Sequence, residues 1–469
     1  MALPVWLWSS VAFAAEGGNF IARETTFIDR GVSLLGIGVL VLIAWAASEN
    51  RRAVNWRPVI WGVGLQLALG AVVLSPTVSN FFFTVVDTSV TQLLDFSGQG
   101  AEFVFQSIEP HMVTMPDGTT EFFAGRISPP AKTFAFWILP TIVFFSSLMG
   151  VMYHLGIMQV IVRAMAKVMV VTLGTSGAES LSAAGNIFVG QTEAPLLIRP
   201  FIDKMTRSEL MAVMTGGFAT VAGGVMGAYV GFLQDIPNIA GHLVIASIIS
   251  APAALAISKL MIPETEESLT QGEVKIDFPK TASNVVEAAA NGASDGMKLA
   301  INVAAMLMAI VALVAMFDWL ISFVPLTFCD GTPALGYSCG GEAGSPLSLS
   351  RILGWVFAPI AVLMGVPFSE SATVGRLLGE KIVLTEFIAY MNLSELIHAE
   401  TAVLSERSAI IASYALCGFA NFASIGIQLG GIGGIAPRRM GDLASVGVKA
   451  MAAGALAACM TGAVAGVML

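Results

Sequence analysis

Long apolar stretches alternate with short polar or charged segments along most of this chain. Each apolar stretch has about the 20 residues that a helix needs to cross a bilayer. Basic residues cluster in segments such as 51–57, and the positive-inside rule places these segments in the cytoplasm, which puts both termini outside. The pattern predicts eight membrane-spanning helices, at residues 31–47, 58–79, 133–153, 209–232, 239–262, 297–321, 407–430 and 443–467.

Two further stretches, residues 176–203 and 369–397, are too polar and too broken to cross the membrane as simple helices. In hydrocarbon, non-helical backbone survives only where protein buries it or where it lines a wet cavity. We therefore predict two re-entrant helical hairpins, the first entering from the cytoplasm and the second from outside. An amphipathic stretch precedes each hairpin, at 155–170 and 349–365, and is expected to lie along the membrane surface.

An internal repeat relates the two halves of the chain. Residues 217–223 (GFATVAG) resemble residues 418–424 (GFANFAS), and each segment follows a hairpin that carries a Thr-Glu pair. Because the hairpins enter from opposite sides, the repeat is inverted, as in secondary transporters. The predicted organisation is an N-terminal scaffold with an interfacial helix and an external segment (1–132), a first repeat (133–262), a cytoplasmic linker (263–296) and a second, inverted repeat (297–469).

Composition agrees with an all-α polytopic membrane protein. Of 469 residues, 56% are hydrophobic and only 12% are charged, about half the charge of a soluble domain. The net charge of −9, without a basic stripe, excludes a nucleic-acid partner. The cysteines have no CxxC spacing and the histidines no HExxH motif, so we expect no bound cofactor.

Two features stay open at this point. Residues 1–15 are apolar and end Ala-Phe-Ala-Ala, which suits either a cleaved signal peptide or a short interfacial helix. Cys329 and Cys339 lie in a loop predicted to be outside, where they either form a disulfide or remain free thiols.

The hairpins and the segments after them carry candidate ligand-binding residues. Glu193 and Glu386 lie in apolar hairpins, where carboxylates are costly and therefore functional by default. Gln191, Asn421 and Ser424 add hydrogen-bond donors and acceptors. No Arg or Lys lies in either tip, although a phosphate or carboxylate ligand would favour one. The residues favour a neutral ligand that has a flat polar ring and hydroxyl groups.

Neutral oxygen donors suggest a cation site beside the ligand. Asn186, Thr192 and Thr220 supply side-chain oxygens, and helix breaks near Val189 and Val221 would free backbone carbonyls. Oxygen ligands without clustered carboxylates suit a monovalent ion better than calcium or magnesium.

Structural roles compete with these assignments. Asn186 could cap a broken helix, and Thr220 could bond back to its own helix. Phe419 could pack in the core or against the ligand, and Glu193 and Glu386 could form ion pairs. In the second hairpin, the helical spacing of three charged residues predicts a solvated or paired face: Arg376, Glu380 and Lys381.

Four segments resemble the concentrative nucleoside transporter family: Gly185–Leu196, Met205–Glu209, Thr385–Tyr390 and Cys417–Phe422. The resemblance extends over roughly residues 30–467. It implies a homotrimer in the lipid bilayer, with each protomer divided into a scaffold and a moving transport domain. It also implies cation-coupled nucleoside uptake by an elevator-like motion. Animal members have additional N-terminal spans, so we expect a bacterial inner-membrane protein.

The resemblance also implies roles for individual residues. The base would contact Gln191, Thr192 and Glu193, with Gly190 and Val225 lining its side. The ribose would contact Glu386, Asn421 and Ser424, with Phe419 packed on the ligand. Sodium would bind Asn186, Val189, Thr220 and Val221. The Gln-Thr-Glu form is typical of sodium-coupled members. Gly190 and the Thr220-Val221 pair resemble a broad-specificity pattern, which implies transport of both uridine and adenosine. Thr385 departs from the family, because many relatives have Asn there.

Other functions compete with sodium-coupled nucleoside uptake. Proton coupling would use Glu193 or Glu386 as the proton carrier. An intramembrane hydrolase or transferase would need a motif such as GxSxG, HExxH or an Asp pair in adjacent spans, and the sequence has none of these. A purely structural scaffold would leave the two polar hairpin tips unexplained.

Overall fold

The protein is seen here as a computed structural model that describes residues 19–73, 76–105, 111–114, 120–123, 134–271, 282–324, 326–329, 332–335, 338–339, 342–343, 345–399 and 401–469. Residues 1–15 lie outside this described part. So do the side chains of Cys329 and Cys339. The predictions for a signal peptide and for a disulfide therefore fall outside the described residues.

Helices build the body of the molecule. The first ten are α1 (Phe27–Ala46), α2 (Trp56–Val73), α3 (Pro76–Phe105), α4 (Leu139–His154), α5 (Ile157–Leu173), α6 (Gly177–Asn186), α7 (Arg199–Ile202), α8 (Arg207–Ala219), α9 (Gly223–Phe232) and α10 (Ile239–Met261). The following seven are α11 (Val285–Ile321), α12 (Leu349–Leu363), α13 (Phe368–Val383), α14 (Glu386–Ile397), α15 (Glu406–Leu416), α16 (Phe422–Ile435) and α17 (Met440–Met468). Shorter turns are a π-helix (Phe134–Ile138) and two 3-10 helices (Ala194–Ile198 and Pro437–Arg439).

Short antiparallel strands lie in two segments that were predicted to be extramembrane. One pair is β1 (His111–Thr114) with β2 (Thr120–Phe123). The others are β3 (Leu326–Cys329) paired with β4 (Thr332–Leu335) and β7 (Ser345–Pro346), and β5 (Ser338–Cys339) paired with β6 (Glu342–Ala343). The membrane body itself is helical, as predicted.

Seven helical segments of the described chain are long and apolar enough to cross a membrane, and one bent helix pair would make eight. These seven segments coincide with seven of the predicted spans. The eighth predicted span, 407–430, is divided, because α15 ends at Leu416 and α16 begins at Phe422. The bent pair, α12 and α13 at 116°, is instead the predicted surface helix followed by the first hairpin arm.

Both predicted hairpins are present. The first consists of α6, a tip, the 3-10 turn and α7, and the second consists of α13 and α14. Ser176 begins α6 through a capping box with Glu179, which satisfies free amides at the helix start. Thr385 caps α14 through the amide of Ile388. Only Leu384 and Thr385 separate α13 from α14, so the turn between the two arms of the second hairpin is tight.

The two seven-residue segments that match in sequence are the places where helices break. The first break separates α8 from α9, and the second separates α15 from α16. Gly418 has φ +137°, a conformation that favours glycine, and a Cβ there would lie 2.7 Å from the Phe218 carbonyl oxygen. The two breaks therefore touch, and glycine permits the close approach.

The repeats are antiparallel. In α4 and α11, the first helices of the two repeats, Gly150 lies against Ala288 while Gly296 lies against Val143, so the pairing runs in opposite directions. The last helices are also equivalent: α10 packs on α2 and α8, α17 packs on α1 and α15, and α10 and α17 contact each other. An inverted repeat is thus the architecture, and its buried centre holds the two breaks.

Two predicted elements are longer than the sequence indicated. Helix α11 begins at Val285, within the predicted cytoplasmic linker, and continues without interruption through the predicted span 297–321. Helix α3 has 30 residues and contains the whole predicted interfacial helix, 81–96.

Candidate functional site

Glu386 lies at the start of α14, inside the second hairpin, and its residue is 4% exposed. Its Oε1 accepts a hydrogen bond from the Tyr229 hydroxyl at 3.0 Å. Its Oε2 accepts one from Asn421 Nδ2 at 2.8 Å. Two donors from different repeats thus hold one carboxylate, which supplies the hydrogen bonds that a buried charge needs.

Asn421 connects this carboxylate to the second helix break. Its Oδ1 accepts a hydrogen bond from the amide of Ser424 at 2.8 Å, which makes Asn421 the N-cap of α16. The start of a helix carries a partial positive charge. Helix α16 therefore directs that charge toward the region of Glu386.

Gln191 carries the network into the first hairpin. This residue is 7% exposed, and its Nε2 donates to Ser424 Oγ at 3.2 Å. Its Oε1 accepts from Gln428 Nε2 at 3.0 Å, and Gln428 also donates to the Met214 carbonyl at 3.1 Å. Hydrogen bonds thus run without a gap from the first hairpin tip to Glu386.

Thr192 and Glu193 lie beside this network but outside it. Glu193 is exposed, and its Oε1 accepts from Thr192 Oγ1 at 2.8 Å. A Cβ added at Gly190 would meet the carboxylate end of the exposed Glu193 side chain, which would then have to move. Glu193 remains available to a ligand approaching from the open side.

Neither predicted carboxylate has a structural ion-pair role in the described part of the chain. The ion pairs found there involve other acidic residues, so the pairing alternative for Glu193 and Glu386 is wrong. The two apolar residues expected beside the ligand are Val225 and Phe419. Val225 is 2% exposed on α9, and Phe419 is half-buried within the second break.

Asn186 is the last residue of α6 and is 1% exposed. Both polar atoms of its side chain are buried without a hydrogen-bond partner in the described chain. It faces Gly216 in the last turn of α8, where an added Cβ would lie 3.2 Å from Asn186 Nδ2. A side-chain cap on α6 is therefore the wrong alternative, and an unsatisfied amide of this kind suits an added polar ligand or ion.

Thr220 adopts the structural alternative at least in part. Its Oγ1 donates to the Gly216 carbonyl at 2.9 Å, as back-bonding predicts. The oxygen keeps lone pairs that could still coordinate an ion. Val221 follows in the break, and the Phe188 carbonyl, next to Val189, accepts from the amide of Gly223 at 2.9 Å. The four predicted cation residues thus lie around the first break and the hairpin tip.

The donor set suits a monovalent ion. No group of three or more His, Cys, Asp or Glu residues within the described ranges could hold a metal. Neutral oxygens without clustered carboxylates are typical of weakly bound monovalent ions rather than of calcium or magnesium.

Tyr229 and Gln428 are not among the predicted site residues, yet both are buried and hydrogen-bonded to residues that are. The sequence contains a feature that could have identified Gln428, because this residue is an isolated amide within the apolar run of α16. No sequence feature marks Tyr229 as a site residue, since a tyrosine in an apolar helix usually packs in the core.

The prediction for the charged face of α13 is partly wrong. Arg376 and Glu380 do pair, at 3.5 Å. Lys381, however, is 2% exposed and donates through Nζ to the Ala415 carbonyl at 2.9 Å. It is neither solvated nor paired with a carboxylate within hydrogen-bond distance in the described residues.

These features define a class of protein. A polytopic helical membrane protein with an inverted repeat, two re-entrant hairpins and a polar site between them has the architecture of a secondary transporter.

Comparison with known proteins narrows this class. Three families match in succession: the Na+ dependent nucleoside transporter N-terminus at residues 35–108, nucleoside recognition at 135–235, and the Na+ dependent nucleoside transporter C-terminus at 242–466. An uncharacterized transporter of Haemophilus influenzae is 40% identical over 440 residues, covering 93% of this chain and 97% of its own. Sodium/nucleoside cotransporter 1 of Mus musculus is 39% identical, over 99% of this chain and 68% of its own.

Solved structures of a related transporter resemble this chain over most of its length. CNTnw in an inward-facing substrate-bound state has a TM-score of 0.80 and 40% identity, covering 94% of this chain and 98% of its own. A variant of CNTnw in an outward-facing state also gives 0.80. The chain belongs to the concentrative nucleoside transporter family. It is therefore a multi-pass membrane transporter that works by alternating access, not an enzyme, and its family co-transports sodium with nucleosides.

Proposed function

We propose that this protein imports nucleosides, both purine and pyrimidine, by symport with sodium in the inner membrane of a bacterium. The carrying observation is the network that joins Gln191 of the first hairpin to Glu386 of the second through Ser424 and Asn421. It is polar, buried and free of Arg and Lys within its hydrogen bonds. Such a site suits a neutral ligand with hydroxyls and amide-like ring edges.

The hydrogen bonds suggest how a nucleoside would enter. Gln191 and Ser424 now contact each other at 3.2 Å, so a ligand would separate them. The base would then occupy the side of Gln191, Thr192 and Glu193, next to Gly190 and Val225. The ribose hydroxyls would occupy the side of Ser424, Asn421 and Glu386, with Phe419 packed against the ligand.

Sodium would bind at Asn186, Val189, Thr220 and Val221. The unpartnered amide of Asn186 supports this assignment, because an ion would satisfy a buried polar group that otherwise costs free energy. Sodium binding would order the hairpin tip, which starts with Val189 and Gly190. Each ligand would then raise the affinity of the other, since binding coupling is reciprocal.

The remaining features of the proposal follow the family. The protein would be a homotrimer, its transport domain would move by an elevator-like motion, and both termini would lie outside. Chemical cross-linking of the protein in native membranes tests the trimer. Labelling of cysteines introduced near Leu469 from either side of the membrane tests the orientation of the C-terminus.

The decisive experiment is uptake of radiolabelled uridine and adenosine into liposomes that contain the purified protein. We expect both nucleosides to accumulate under an inward sodium gradient and neither to accumulate when choline replaces sodium. Recovery of unaltered nucleoside excludes enzymatic conversion. Uptake that ignores sodium and stops on addition of a protonophore would instead establish the proton-coupled alternative, with Glu193 or Glu386 carrying the proton.

A further inference from the structure

The inverted repeat places two half-helix ends in equivalent positions. Helix α8 ends at Ala219 in the first repeat, and α15 ends at Leu416 in the second. The last carbonyls of a helix lack partners within it. They also carry a partial negative charge, which attracts cations. Each end is followed by one of the two breaks and is approached by the first arm of its own hairpin.

At the second break, side chains from the hairpin satisfy the helix end. Lys381 Nζ donates to the Ala415 carbonyl at 2.9 Å. The Tyr390 hydroxyl donates to the Ser413 carbonyl at 2.7 Å. Lys381 lies in the last turn of α13 and is 2% exposed, so its amine is buried against the end of α15. The same hairpin carries the negative charge of Glu386.

At the first break, the corresponding position holds no charged side chain. Asn186 ends α6, the first arm of its hairpin, and faces Gly216 in the last turn of α8. Its amide has no hydrogen-bond partner in the described chain. Helix α6 contains no Lys or Arg, although it includes Glu179. The first arms of the two hairpins thus end differently: α13 has Lys381 in its last turn, and α6 ends with the uncharged Asn186.

We propose that Lys381 is a tethered cation. Its ammonium group takes, at the end of α15, the place that the co-transported monovalent cation takes at the end of α8. Sodium and an ammonium group carry the same charge, and both are bound by oxygen atoms. The comparison with the transported cation rests on the proposed function. The role of Lys381 at the end of α15 does not.

The role of Lys381 is positioning. Its hydrogen bond goes to the Ala415 carbonyl rather than to a predicted site residue. It therefore holds the end of α15, from which the chain enters the break that carries Phe419 and Asn421. A fixed cation keeps this break ordered whether or not an ion is bound. Removal of the amine with space left behind should therefore open a site for a small monovalent cation.

The test compares Lys381→Ala with Lys381→Met, by thermal unfolding of the purified protein in detergent. Alanine leaves a cavity, whereas methionine fills it with an apolar chain of similar length. We expect methylammonium to raise the melting temperature of the alanine variant by at least about 3 °C, relative to choline at the same ionic strength. The wild type and the methionine variant should not respond. Equal responses in both variants, or no response in either, would overturn the proposal.

A second comparison covers the case in which the alanine variant does not fold. Lys381→Arg retains the charge and Lys381→Met removes it, so uridine uptake should fall less than about threefold in the former and more than about tenfold in the latter. A methionine variant as active as the arginine variant would contradict the assignment. The two proposals can fail separately. Absence of sodium-driven uptake in the wild type would refute the proposed function. The methylammonium measurement does not depend on uptake and would still decide the role of Lys381.

Discussion

Glu386 is held by donors that lie far apart in the sequence. Tyr229 belongs to the first repeat and Asn421 to the second break, and each donates to a different oxygen of the carboxylate. The arrangement leaves the carboxylate as an acceptor and fixes its orientation. A ribose hydroxyl would find a preorganised acceptor there, which reduces the entropy lost on binding.

We predict that Glu386→Gln lowers uridine affinity at least about tenfold, the effect of about 1.4 kcal/mol. The amide keeps one acceptor oxygen and turns a donor toward Tyr229 or Asn421, so the network can no longer be satisfied. Equilibrium binding to the purified protein measures the change. The matched control is Glu395→Gln, an exposed carboxylate of the same helix, which should bind like the wild type. Normal uridine uptake by the Glu386 variant would rule out the ribose assignment.

Asn186 gives a test of the sodium site. Because its side chain makes no hydrogen bond in the described chain, Asn186→Ala should cost little stability. We predict an increase of at least about tenfold in the sodium concentration for half-maximal uptake, the loss expected for one charge–dipole contact. In the wild type, saturating uridine should increase sodium affinity.

The control for Asn186 is a residue of the same type with a structural role. Asn392 donates to Glu380 at 2.8 Å, so Asn392→Ala should lower the melting temperature without changing sodium dependence. An Asn186→Ala protein with a normal sodium response would exclude Asn186 as an ion ligand.

At the level of elements, the first hairpin is anchored by buried charges. Lys259, in the last turn of α10, pairs with Glu179 of α6 at 2.7 Å and with Glu264 at 3.2 Å. A cavity of about 110 Å³ lies beside these three residues. Ser208, at the start of α8, accepts a further hydrogen bond from Lys259 at 3.0 Å. The network fixes the base of the hairpin against α8 and α10.

We predict that Lys259→Met destabilises the protein by about 3–5 kcal/mol, because it leaves the Glu179 carboxylate buried without a counter-charge. Thermal unfolding in detergent measures the loss. Adding Glu179→Gln to this variant should restore part of the stability, since the unpaired charge is then removed. Lys298→Met is the control: that lysine and its partner Asp295 are 71% and 75% exposed, and an exposed pair contributes at most about 1 kcal/mol. Equal losses in the two lysine variants would contradict the anchoring role.

At the scale of the whole molecule, the repeats also meet at the end of α14 in the second hairpin. His398 follows α14 and lies 2.5 Å from Asp235, in the loop between α9 and α10. The Ser394 carbonyl raises the pKa of His398, partial burial opposes the effect, and Asp235 raises the pKa further. The protonated ring thus links the second hairpin to the first repeat.

The sign of the pH dependence follows from that raised pKa. Below the ordinary histidine pKa of about 6.5, the link contributes its full stability, and the contribution is lost as the pH rises through the raised value. We predict that His398→Gln lowers the free energy of unfolding at pH 5.5, but not at pH 9, by no more than about 1 kcal/mol, because the pair is exposed. Thermal unfolding at the two pH values measures the difference. Asp235→Asn should remove the same pH dependence. A stability difference that grows toward alkaline pH would exclude this link.

The sequence by itself determined seven of the eight predicted membrane spans, the two hairpins and the repeat, and it supplied the candidate site residues as a prediction. Long apolar runs must be helical in a bilayer, and a polar residue within them is costly enough to mark a function. Tertiary structure alone decided which polar groups are satisfied. The Asn186 amide remains without a partner while the Thr220 hydroxyl bonds to its own helix, and Lys381 lies buried against Ala415. These outcomes depend on side chains that are distant in sequence and meet only where the two inverted repeats pack, so no local pattern contains them.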